Sequence, residues 1–185
     1  MGLLSIIRKQ KAKDAEIRVL VLGLDNLGKT TIIRKLMGQE TDSVAPTMGF
    51  HIHTFSHAGF NINAWDIGGQ LTLRSFWGNY FDKLDVIVWV VDGTSLERLR
   101  ELYRELREKV IQQDQLAGTY FCLVINKMDL VEETQQASVR QVVESTLNLL
   151  AEISEELYTV KCVSGRSGQG LESMMEWVVS KFQPC

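Results

Sequence analysis

The stretch Gly23-Leu24-Asp25-Asn26-Leu27-Gly28-Lys29-Thr30 fits G-x-x-x-x-G-K-[ST], a spacing suited to holding phosphate groups. Its two glycines let the backbone turn so that successive N–H groups point at phosphate oxygens, and a helix that follows adds the positive end of its dipole. Lys29 supplies a point charge over the outer phosphates. The Thr30 hydroxyl suits Mg2+, which keeps waters and phosphate oxygens among its ligands rather than being caged by protein alone. Asp25, Asn26, Gly28 and Thr31 are expected to line the same phosphates. Chance produces the pattern in about 1% of chains this long, and an apolar run before it with a helical pattern after it weighs further against a mere turn.

The segment Trp65-Asp66-Ile67-Gly68-Gly69-Gln70 ends another apolar run. An acid at the carboxyl end of a strand reaches a metal through a water, so Asp66 is expected as a second Mg2+ anchor. Gly69 allows a backbone N–H to approach a terminal phosphate closely, while Gln70 offers donor and acceptor to an attacking water. Further on, Asn126-Lys127-Met128-Asp129 closes a third strand. A carboxylate there accepts from both N1–H and the 2-amino group of guanine, which adenine does not offer, so Asp129 argues for GTP and GDP over ATP. Asn126 is expected to hold N7 and brace the loop, with the Lys127 stem packed over the base. A weaker signal, Ser164-Gly165-Arg166-Ser167-Gly168, places the Gly165 N–H to donate to guanine O6. All four segments fall at the carboxyl ends of strands, the edge where ligands bind in open α/β sheets.

Lining four loops along one edge requires parallel strands, and the sequence supplies them. Continuously apolar runs at 17–22, 86–91, 121–125 and 158–163 alternate with helix-like stretches at 30–37, 96–113, 139–153 and 171–182. Residues 50–56 and 60–66 alternate with a period near two around His57-Ala58-Gly59, as in an antiparallel hairpin. The expected fold is α/β, three layers around a mostly parallel six-stranded sheet with one antiparallel edge hairpin. With 185 residues, 45% hydrophobic and 23% charged, one globular domain is expected. Lys and Arg number 20 against 23 acids, a formal charge of −3 that disfavours a nucleic-acid partner. The apolar run at 86–91 falls far short of the roughly 20 residues needed to cross a bilayer, and no secretory leader is read at the amino terminus, so a cytoplasmic protein is expected. Cys122 and Cys162 read as small core hydrophobes, and Cys185 does not fit a C-a-a-X prenylation signal.

Over nearly its whole length the chain resembles the ADP-ribosylation factor (Arf) and Arf-like small GTPases. The resemblance rests on the N-terminal extension, on Gly23-Leu24-Asp25-Asn26, on Pro46-Thr47-Met48-Gly49-Phe50 and on Trp65-Asp66-Ile67-Gly68-Gly69-Gln70. Met1-Gly2-Leu3-Leu4, Leu73-Arg74-Ser75-Phe76-Trp77 and Asn79-Tyr80-Phe81 are similar to the Arf-like type 2 branch. This resemblance implies a P-loop GTPase of the Ras-like G-domain type over residues 16–183, an N-terminal amphipathic helix over 1–13, and a monomer. It implies that Thr47 lies in the first switch, binding Mg2+ by its hydroxyl and the γ-phosphate by its N–H in the GTP state. It implies, too, that Phe50, Trp65 and Tyr80 present an aromatic surface to effector proteins, with an exchange factor and a GTPase-activating protein as further partners. Trafficking, release of lipidated cargo or tubulin regulation is the implied setting. Gly165 stands where the family usually has Ala, Val131 where it usually has Pro, and 132–156 looks longer and more helical than usual.

Leu3, Leu4, Ile6 and Ile7 precede Arg8, Lys9, Lys11 and Lys13, the pattern of a short amphipathic helix with a basic continuation, so residues 2–13 are expected to touch a membrane surface or dock in a groove. Myristoylation at Gly2 is disfavoured, because its pattern wants Ser or Thr where Ile6 stands. His51, His53 and His57 share strand parity; zinc is disfavoured because the segment itself offers no neighbouring carboxylate or thiol. Two rival functions remain at this level: a nucleotide-locked binding module that never cycles, and a P-loop kinase, for which Asn126 to Asp129 would lack a purpose.

Overall fold

A computed structural model of the chain describes residue 6 and residues 15–183. Strands β1 (Glu16–Leu22), β2 (Phe50–His57), β3 (Phe60–Ile67), β4 (Val86–Asp92), β5 (Tyr120–Asn126) and β6 (Tyr158–Cys162) form one sheet in the order β2-β3-β1-β4-β5-β6. All neighbours pair in parallel except β2 and β3, which form the antiparallel edge. Every residue of β4 and β5 is buried, as strands covered on both faces must be. Helices α1 (Lys29–Leu36), α2 (Leu99–Leu106), α3 (Glu133–Leu147) and α4 (Leu171–Ser180) provide the crossovers that parallel pairing demands. Cys122 is fully buried in the core, which pushes its thiol up to about 12, so it acts as a small hydrophobe.

The structure refines the expected elements. His57 pairs with Phe60, leaving a two-residue turn, Ala58-Gly59, with φ of 48° and 84°; two successive left-handed residues match the twist of a hairpin. The helix expected at 96–113 is a 3-10 turn (Leu96–Arg98), then α2, then a π-helical turn (Arg107–Ile111). Helix α3 starts earlier than expected and stops at Leu147, because Asn148 turns left-handed with φ 42°. A 3-10 helix at Leu71–Tyr80 was not anticipated. The amphipathic-helix expectation for residues 2–13 lies outside the described residues apart from Ile6, as do Pro184 and Cys185. Among the described residues no helix is long and apolar enough to cross a membrane.

Candidate functional site

Strand β1 runs out at Leu22 and the chain turns back over its own end to start α1. Gly28 makes that turn at φ 87°, and a Cβ there would overlap the amide nitrogen of Asn126, so both conformation and space demand glycine. Lys29 follows, 6% exposed, with Nζ donating to the carbonyls of Leu24 at 2.6 Å and Gly23 at 3.2 Å. Burial lowers its pKa to about 8 against the pull of Asp66 and Asp25, so the ammonium is still mostly charged at neutral pH.

Three oxygens converge beside it. The Thr30 and Thr47 hydroxyls lie 2.7 Å apart, and both donate to Asp66 Oδ2, at 2.5 and 3.2 Å. Asp66 is fully buried at the end of β3. Two hydroxyl oxygens backed by one carboxylate are the hard donors that suit Mg2+, so the residues expected to hold that ion fit it. Gly69 sits so close to the phosphate loop that a Cβ would overlap the Leu24 carbonyl. Lys29, Thr30, Thr47, Gly69 and Gln70 line a cavity of about 230 Å3. Gln70 is half-buried, with Nε2 3.8 Å from Met48 Sδ.

A second cavity, about 260 Å3, is lined by Asn126, Lys127, Asp129 and Gly165. Gly28 and Thr31 line both cavities, which therefore adjoin. Asn126 is 2% exposed and braces two loops: Nδ2 donates to Leu27 O, and Oδ1 accepts from Gly165 N, each at 2.8 Å. The Gly165 N–H, expected to face guanine O6, is thus engaged by Asn126. Those two bonds leave one Nδ2 hydrogen of Asn126 unused. Ser164 is fully buried, accepts from the Ser167 N–H at 3.0 Å and lines neither cavity, so its part is to hold the loop. Lys127 reaches Asn26 O at 2.8 Å and Asp92 Oδ2 at 2.6 Å, tying the loop at 126–129 to the loop at 23–30. Burial alone would raise the Asp92 pKa, but Lys127 and Thr94 outweigh it and hold the carboxyl below its usual value. Asp129 is exposed at the rim.

Sequence reasoning missed two arginines. Arg74, 4% exposed, donates through Nε to Gly69 O at 3.0 Å and meets Glu101 at 2.9 Å, Glu105 at 3.4 Å and Asp25 at 3.7 Å. Arg98 donates to Asp25 O and Oδ1, each at 3.0 Å. Asp25 is accordingly held below its usual pKa: its slight burial opposes the shift, and Arg98 and Arg74 prevail.

On the outer face of the hairpin the three expected aromatics do meet. Phe50 lies 6.3 Å from Trp65 and 5.2 Å from Tyr80, and Trp65 lies 5.7 Å from Tyr80, ring centre to ring centre. Phe50 is 44% exposed, and Ile52, Leu71 and Phe76 are exposed as well.

Known proteins resemble the chain over nearly its whole length. Residues 3–182 match the ADP-ribosylation factor family. The chain is 38% identical over 180 residues to ADP-ribosylation factor-like protein 2 of Drosophila melanogaster, covering 97% of this chain and 95% of the relative. It is 41% identical over 183 residues to ADP-ribosylation factor-like protein 3 of Chlamydomonas reinhardtii, covering 99% and 100%. Its fold matches that of the Arl6 BBS3 small GTPase of Trypanosoma brucei, solved with the nucleotide analogue GppNp, at a TM-score of 0.77 and 24% identity over 89% of this chain and 96% of that one. A family model matched over residues 3–182 and relatives 38–41% identical over nearly the whole of both chains make this chain a member of the ADP-ribosylation factor family of small GTPases.

Proposed function

We propose that this protein is a GTP/GDP switch that binds GTP with Mg2+, engages effectors through the hairpin aromatics and resets by slow hydrolysis. The observation that carries this reading is that Thr30 and Thr47, which line one of two adjoining cavities, converge on Asp66, while Asp129 lines the other cavity. Asp129 reads N1–H and the 2-amino group of guanine, and Asn126 offers its remaining N–H to N7. The phosphate-loop amides and Lys29 bind the phosphates. Thr30, Thr47 and Asp66 would hold Mg2+, which would supply positive charge against the phosphates.

Gln70 orients the attacking water by its amide. The water oxygen bonds to the γ-phosphorus, the bond to the β–γ bridging oxygen breaks, and Lys29 with the loop N–H groups stabilises the charge left on GDP. Arg98 is committed to Asp25, so an activating protein supplies any arginine that completes the site. An exchange factor opens it, and residues 2–13 contribute a nucleotide-dependent membrane or groove contact in a cytoplasmic monomer. Its setting is trafficking, lipidated-cargo release or tubulin regulation.

Single-turnover hydrolysis tests the chemistry. Gln70→Leu is expected to bind GTP nearly normally and to lose roughly 10²-fold or more in hydrolysis rate. Unchanged hydrolysis would remove Gln70 from its role, and purified protein that neither carries nor exchanges guanine nucleotide would overturn the reading as a whole.

A further inference from the structure

The inner face of the hairpin carries three histidines that nucleotide binding does not use. Antiparallel pairing sets His51 opposite Asp66, His53 opposite Ala64 and His57 opposite Phe60, all on the face away from Phe50 and Trp65. The missing carboxylate that argued against a metal is therefore supplied from across the hairpin. His57 turns instead toward Glu172, with Nε2 3.8 Å from the carboxylate. One ligand atom each from His51, His53 and Asp66 lies within 4.8 Å of the others. The two imidazoles stand edge to face with centres 6.1 Å apart. Among the described residues, His53 Nε2 and Asp66 Oδ1 are buried without any hydrogen-bond partner, and Asp66 as a whole is fully buried. Two residues of one cluster thus each hold a buried ligand atom without a partner, one imidazole nitrogen and one carboxylate oxygen.

We propose that His51, His53 and Asp66 form a second cation site, selective for Zn2+ and related first-row transition ions. Two imidazole nitrogens and one carboxylate oxygen suit zinc, whereas Mg2+ takes an all-oxygen set. Asp66 serves both sites: Oδ2 accepts from Thr30 and Thr47, and Oδ1 has no hydrogen-bond partner. Ligand atoms around a four-coordinate zinc stand about 3.3 Å apart with bonds near 2.0–2.2 Å. The side chains must therefore close in by up to about 1.5 Å, and His51, exposed on the edge strand, has the freedom to do so. Its exposure also leaves the fourth position to water. An ion there cross-links β2 to β3 just after Thr47, holding the hairpin to the carboxylate that the Mg2+ site shares.

Co2+ is the direct probe, added to the full chain loaded with guanine nucleotide in excess Mg2+. One equivalent should give the visible bands of a nitrogen–oxygen set without a thiolate charge-transfer band, and Zn2+ should displace it. The His51→Asn/His53→Asn double variant should lose the bands while bound nucleotide and circular dichroism stay unchanged; His57→Asn should keep them. In wild-type protein, Zn2+ should shift the imidazole resonances of His51 and His53 and not those of His57. No Co2+ binding, bands retained in the double variant, a thiolate band, or a zinc shift at His57 alone would each overturn the proposal. Nucleotide content measured in the same samples keeps that failure separate from failure of the switch itself.

Discussion

Replacing Arg74 by methionine tests how the loop after β3 is held against the phosphate loop. The guanidinium is nearly inaccessible and lies 2.9 Å from Glu101, 3.4 Å from Glu105 and 3.7 Å from Asp25, while Nε holds the Gly69 carbonyl at 3.0 Å. Asp25 and Glu101 are substantially exposed, and pairs of that kind are worth about 0–1 kcal/mol each. Glu105 is different: it is 6% exposed, and its Oε2 has no partner among the described residues. Methionine keeps most of the buried stem but leaves Glu105 without its cation, and breaking a buried pair from one side costs about 3–5 kcal/mol.

Urea unfolding at fixed nucleotide and Mg2+ concentration measures this loss, since bound nucleotide itself adds stability by mass action. Adding Glu105→Leu removes the stranded charge, and the double variant should recover most of the difference. Hydrolysis should slow in both variants, because neither holds the Gly69 carbonyl, while GTP affinity stays close to wild type. A single-variant loss below about 1 kcal/mol, or no recovery in the double variant, would refute the assignment of Glu105 as the dependent partner.

Asp129→Asn should weaken guanine nucleotide binding by roughly 10²–10⁴-fold, from two charge-assisted hydrogen bonds of about 1.5–3 kcal/mol each; competition of GTP with xanthosine and adenosine triphosphates reads it, and unaltered base preference would count against the base site. Asn126→Ala strands the Leu27 carbonyl and the Gly165 N–H, so denaturant unfolding should show a loss of about 2–4 kcal/mol. Because Asp92 has its pKa lowered in the fold, its contribution is present above the unfolded value of 3.8 and is lost as pH falls below it. Stability of Asp92→Asn should therefore decline less steeply with acid below about pH 4, and urea midpoints with the wild-type slope would show that Lys127 and Thr94 do not stabilise the carboxylate.

Much of the candidate site was legible because chemistry fixes its spacing along the chain. The phosphate loop must place glycine, lysine and threonine at set offsets, and the fully buried strands β4 and β5 must be apolar throughout. What escaped was set by distance through space. Arg74 finds its partners on α2, far along the chain, and nothing near it in sequence hints at them. The 3-10 helix at Leu71–Tyr80 buries Arg74 and Trp77, three residues apart, which is its own period; but one of the two is charged, so no apolar stripe marks it. Helix α3 buries only Val143 and Leu147, too little to signal where a mostly polar helix begins. The hairpin's alternation was plain, yet alternation alone does not place the turn, and the left-handed Ala58 shortened it by a residue.

Strand β3 joins the two halves of the proposed switch through its own pleat. Trp65 faces the aromatic surface and Asp66, the next residue, faces Thr30 and Thr47. In the parallel pairing with β1, Leu20 stands beside Trp65 and Val21 beside Asp66. A slip of one residue would exchange those faces, burying the tryptophan and expelling the carboxylate, so it is forbidden by burial. A slip of two keeps every face but carries Asp66 about 6.6 Å along the sheet, which separates it from the threonine hydroxyl it now meets at 2.5 Å. A ligand that needs Thr30, Thr47 and Asp66 together therefore stabilises the present register over its neighbour by the full worth of that cluster, and the position of Trp65 on the aromatic surface follows because the two residues share one backbone.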